Sequence, residues 1–196
     1  MLRDLYYYLY HQSPTGGIPL KGTGIALGLL LLAVHLWALL RGEKAKAFLR
    51  AFPRSYPWGV ALLAVGFVWS MMVMQATDMG EYFFLRRWLL FLLPVAFVLV
   101  ISYVKEFLAV RALGSLMLLA AAPVLYAAFL QPLTSRLLLP ILAYAWIIGG
   151  MFLVGMPYLM RDGVDWLLKS DGRWKAAVGF GIGYGAVLLV AALLWY

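Results

Sequence analysis

Apolar residues run along this chain in six long stretches, and charge is confined almost entirely to the gaps between them. The stretches cover about residues 23–40, 58–77, 88–104, 112–130, 137–160 and 176–195. An α-helix rises about 1.5 Å per residue, so about 17–25 apolar residues cross the hydrocarbon layer of a bilayer. Barrel strands would instead alternate apolar and polar positions over about ten residues. Within hydrocarbon every backbone N–H and C=O needs a partner, and a helix supplies one from its own segment. The pattern therefore predicts an all-α integral membrane protein: a polytopic bundle of six transmembrane helices, forming a single membrane domain over residues 1–196.

Punctuation agrees with that reading. Trp58, Trp88, Trp174, Trp195 and Tyr196 stand at the ends of the stretches, where amphipathic rings favour the interface. Pro94, Pro123, Pro140 and Pro157 fall inside or near the ends of them; Pro123 is central and is expected to kink its helix. The first three and last three stretches show no convincing internal repeat, which weakens an inverted-repeat transporter reading.

Composition moves the chain out of the soluble class. It is 65% hydrophobic and 12% charged, with mean hydropathy +0.91, against roughly 45–50% apolar and about 25% charged for soluble domains. The absence of cysteine removes disulfides, thiolate metal sites and cysteine lipidation. The net charge of +8 fits loops facing anionic lipid better than nucleic acid, which is not expected as a partner. Residues 1–22 carry Asp4 and four tyrosines and lack a cleavable apolar core, so the first stretch is expected to target the protein and remain in it.

Charge also sets an expected orientation. The loops after the first, third and fifth stretches hold eleven Lys and Arg, and the opposite side holds five. The positive-inside bias places the first set in the cytoplasm and both termini outside. Within the first loop, residues 42–54 interleave Phe48, Leu49 and Phe52 with Lys44, Lys46, Arg50 and Arg54. That spacing predicts a short helix on the membrane surface, its four basic side chains on lipid headgroups. Residues 161–175 place Asp162, Asp165 and Lys169 on one helical face, with Trp166 and Leu167 toward lipid.

Little in the chain suggests chemistry. His35 is the only histidine inside a stretch, and it shares a helix face with Leu31, Gly28 and Gly24. It is expected to point into protein and form a structural hydrogen bond; a haem or quinone contact is the functional alternative. His11 lies outside the stretches, so a bis-histidine haem lacks its second ligand. Methionines cluster at Met71, Met72, Met74 and Met79 and at Met151, Met156 and Met160; core filling outweighs soft-metal binding. The last stretch opens with Gly179, Gly181, Gly183 and Gly185, two overlapping small-residue pairs that suit close helix approach. Gly149, Gly150 and Gly155 are their expected internal partners. All eight acidic residues fall in loops or at helix ends, unlike the buried carboxylates of ion-coupled carriers. No catalytic grouping, metal site or cofactor is expected. The leading expectation is a non-catalytic membrane subunit or assembly component that packs against other membrane-protein subunits and lipid. A small transporter or channel for an apolar or soft-metal substrate comes second. A haem- or quinone-binding subunit using His35 comes third.

Overall fold

The computed structural model describes residues 2–10 and 17–196, and among these residues there is no strand. The helices are α1 (Leu2–Tyr10), α2 (Leu20–Leu40), α3 (Gly42–Ala51), α4 (Tyr56–Ala76), α5 (Leu85–Tyr103), α6 (Leu108–Ala128), α7 (Leu138–Gly155), α8 (Tyr158–Leu168) and α9 (Asp171–Leu194). Short 3-10 turns at Gly80–Phe84 and Thr134–Leu137 lead into α5 and α7. Six of these helices, α2, α4, α5, α6, α7 and α9, are long and apolar enough to cross a membrane, as fits a multi-pass membrane protein.

Local chemistry sets the ends. Pro19 precedes α2 and Pro57 lies in the first turn of α4, positions where a missing N–H costs nothing. The loop after α4 turns through Gly80 (φ +50°), whose N–H donates to Asp78 Oδ1 at 3.0 Å. Three boundaries differ most from expectation. The sixth stretch starts at Asp171 rather than Ala176, so Arg173, Trp174 and Lys175 are inside α9. The fourth stretch starts at Leu108 rather than Ala112, so Arg111 is inside α6 and not in a loop. The fifth stretch divides at Met156–Pro157: α7 stops at Gly155 and α8 begins at Tyr158. Proline lacks the amide a continuing helix needs and pushes its predecessor out of the helical region, as Met156 shows (φ −128°, ψ 66°).

The most buried span is α6, whose Ala109, Ala112, Gly114, Ala121, Ala127 and Ala128 let neighbours come close. It packs against α7 and α4, while α2 and α9 form a second tightly joined pair. Two glycine crossings mark these pairs. Gly114 and Gly150 face each other across α6 and α7, where a Cβ on either would fall 2.8 Å from the other's carbonyl oxygen. Gly28 and Gly185 do the same for α2 and α9, at 3.1–3.2 Å. Hydrocarbon gives no net drive for apolar burial between helices, so close backbone packing of this kind is what joins them.

α5 is the outlier. None of its residues is buried. It hangs on α4 through a Phe67–Phe97 ring stack at 4.6 Å, a hydrogen bond from Tyr56 Oη to Ile101 O and one from Arg86 to Thr77 O. It faces α6 across a cavity of about 190 Å³ that Ser70 and Ser115 line. At the opposite edge, α1 lays Tyr6 and Tyr10 on Met72 and Ala76, with Trp69 Nε1 donating to Tyr10 Oη at 2.8 Å.

Candidate functional site

The α2–α9 seam brings together five of the residues the sequence singles out: Gly24, Gly28, His35, Gly181 and Gly185. Gly24 lies against Ala192 and Tyr196, Gly28 against Gly185 and Leu189, and Gly185 against Leu31. His35 closes the row one turn further on. Its Nδ1–H donates to Leu31 O at 2.8 Å, because a carbonyl oxygen can only accept. The ring lies over Gly181, where any Cβ would overlap Nε2 and Cδ2. His35 is thus a wedge seated in a glycine notch. His11 lies outside the described residues. Among the described residues no group of three or more His, Asp or Glu side chains is placed to hold a metal.

Two glycine expectations change. Gly179 and Gly183 have open space where a Cβ would point, so only one of the two overlapping pairs, Gly181/Gly185, makes the contact. The partner helix is α2, not α7: Gly150 meets Gly114, Gly149 nears Met117 and Gly155 touches nothing. Four consecutive odd-numbered glycines spread over 600° of helix turn, so one straight neighbour can meet only half of them. The methionine positions divide likewise: Met72 is buried beneath α1, while Met151 and Met156 are exposed.

The basic loop is a second candidate surface. α3 and α8 lie side by side at one end of the bundle, and Ala45, Leu49 and Leu167 pack around Trp174 of α9. Phe48 binds α3 to the spans through edge-on contacts with Trp37 at 6.4 Å and Trp58 at 5.9 Å. Lys44, Arg50 and Arg54 are exposed. Lys46 is not. Its ammonium donates to Asp171 Oδ1 at 2.8 Å and to Glu43 Oε1 at 3.2 Å, and its side chain is only 17% exposed. The Asp171 hydrogen bond, then that of Glu43, raises its pKa above the ordinary lysine value. A carboxylate 125 positions away in sequence turns a headgroup candidate into an internal tie.

Four arginines do something the sequence did not suggest. Each donates to the carbonyl end of a helix: Arg86 to Thr77 O after α4, Arg111 to Val154 O of α7, Arg136 to Ala128 O of α6 and Arg173 to Trp166 O of α8. The last turn of a helix has unpaired carbonyls and partial negative charge, so a guanidinium there satisfies both. Compared with protein-family models, curated proteins and solved structures, the chain has no significant match. Sequence could not reveal Arg111 as a cap, because its acceptor lies 43 residues downstream and the two meet only once α6 and α7 cross.

Proposed function

We propose that this chain is a non-catalytic subunit or assembly component of a larger membrane complex, with both termini outside and the α3–α8 surface in the cytoplasm. One observation carries the reading: α5 has no buried residue. Phe91, Val95, Val98 and Leu99 are all exposed on it. A span that gains so little from its own bundle gains most by packing against another protein's helix, since packing is what associates helices in lipid. The partner is an apolar transmembrane helix, because the exposed residues from Phe91 to Leu99 carry no charge for a polar one to pair with; the exposed cation of α5, Arg87, stands one turn earlier, in the first turn of the span. The seam around His35 supports the same reading, as it spends its one intramembrane histidine on packing. Orientation rests on the basic residues, of which Arg41, Lys44, Arg50, Arg54, Lys169 and Lys175 belong to the α3–α8 end.

The test is affinity purification in a gentle detergent followed by native mass spectrometry. A hetero-oligomer of defined stoichiometry is expected. Val95→Trp or Val98→Trp should deplete the partner and leave the melting temperature of this chain unchanged. A monomer or homo-oligomer that moves a solute in liposomes would reject the subunit reading. The transporter reading would then take the Ser70 and Ser115 cavity between α4, α5 and α6 as its starting point.

A further inference from the structure

At the end of the bundle opposite α3 and α8, the connection from α6 to α7 leaves a pocket of about 530 Å³. Phe129, Gln131, Arg136, Leu137, Pro140 and Tyr144 line it. The chain leaves α6 through Leu130 in the left-handed region (φ 56°), runs extended, and the 3-10 turn at Thr134–Leu137 brings Arg136 back under Ala128 O. That hydrogen bond is long, 3.4 Å, and uses Nη1 alone. A guanidinium has five N–H donors, and no carboxylate lines the pocket to meet the others. Below the charge the wall is apolar. Leu137, Pro140 and Tyr144 are spaced three and four residues apart, so they follow one face of α7 toward the middle of the span.

A cation and an amide at the mouth, with an apolar track beneath, select a ligand with an anionic head and a long hydrocarbon body. We propose that this pocket binds an anionic glycerophospholipid. Its phosphodiester sits on Arg136, the Gln131 amide donates a second hydrogen bond, and an acyl chain lies along Leu137, Pro140 and Tyr144. Arginine suits phosphate oxygens because its planar fork offers two parallel donors. A free inorganic anion would meet a single cation and gain nothing from the track, so the occupant is the lipid. This site is separate from the basic residues of α3, which lie at the other end of the bundle.

The experiment uses the full chain in detergent, titrated with phosphatidylglycerol or with phosphatidylcholine of the same acyl chains, and reads bound lipid by native mass spectrometry. Wild type should retain phosphatidylglycerol in preference to phosphatidylcholine. R136Q should lower phosphatidylglycerol retention by about tenfold, the effect of losing one charge-assisted hydrogen bond. Q131L, which leaves the Arg136–Ala128 contact in place, should lower it by about threefold on the same scale. Both effects should persist in a K44Q/R50Q/R54Q background, which removes the exposed basic residues of α3. Should R136Q fail to fold, Q131L decides alone. Equal retention of the two lipids by wild type, or retention unchanged in Q131L and in a folded R136Q, would overturn the proposal. Displacement of the lipid by millimolar inorganic phosphate would overturn it too, by making the pocket a simple anion site.

Discussion

His35 and Gly181 compete for one volume, and that makes their effects interdependent. Gly181→Ala should destabilise the wild-type protein by about 1–3 kcal/mol, since the added methyl must displace a ring held by its own helix. His35→Ala should cost about 1–2 kcal/mol through lost packing. In the double variant the methyl enters the space the imidazole vacated, so the loss should fall well short of the sum. Thermal melts in detergent measure all three; simple additivity would show that the ring does not occupy the notch. Gly183→Ala and Gly179→Ala serve as the contrast, because nothing lies where their methyls would point, and both should be neutral or slightly stabilising. A different strain sits at Leu130, 78% exposed and left-handed at φ 56°. Leu130→Asn keeps the turn with a residue that tolerates that region and should gain about 1 kcal/mol; an unchanged melt would mean the loop relaxes in solution.

At the scale of elements, the ties between helices carry the tests. Lys46 joins α3 to the start of α9, and its pKa is raised above 10.5, chiefly by Asp171. A raised folded value means the stabilisation is complete below pH 10.5 and fades as pH rises through the folded pKa. A fluorophore on a cysteine placed at Ala47 should therefore report a stable α3 at neutral pH and loosening in strong base. Lys46→Met should abolish that step, and a step that survives would mean another group titrates. Arg111→Met removes the cap on α7 and should cost about 1–3 kcal/mol. The spans themselves were legible because each is a run of one chemical character whose length the bilayer dictates. α3 was legible from aromatic and basic residues interleaved at helical spacing. What sequence withheld was which helix meets which: Gly150 reads the same whether it faces Gly185 or Gly114, and Arg111 reads as a loop charge until α7 supplies Val154 O.

For the molecule as a whole, an even number of spans puts both termini on one side. The chain has no cysteine, so single introduced thiols give a clean map. A thiol after Leu194 should react with an impermeant maleimide added outside intact cells, and one at Lys44 should not. The reverse pattern would invert the positive-inside assignment, and reaction at both would break the six-span count. The same map bears on the partner surface, because thiols at Val95 and Val98 should be shielded in the native complex and exposed to membrane-soluble reagents in the isolated chain. The candidate surfaces were only half legible for a reason of scale. Exposure of α5 is a property of the assembled bundle, and no pattern within residues 85–103 distinguishes a span that is covered from one that is not.

The pairing of α2 with α9 has a consequence in time. α2 leaves the ribosome well before α9, the helix it packs against most closely, so the strip of Gly24, Gly28 and His35 stays open to lipid while the intervening helices are inserted. A chain that stalls before Asp171 displays that strip without its cover. Such fragments would be marked for a membrane protease by the very feature that completes the finished bundle, and the insertion of α9, rather than of any earlier helix, becomes the moment at which the protein is secure.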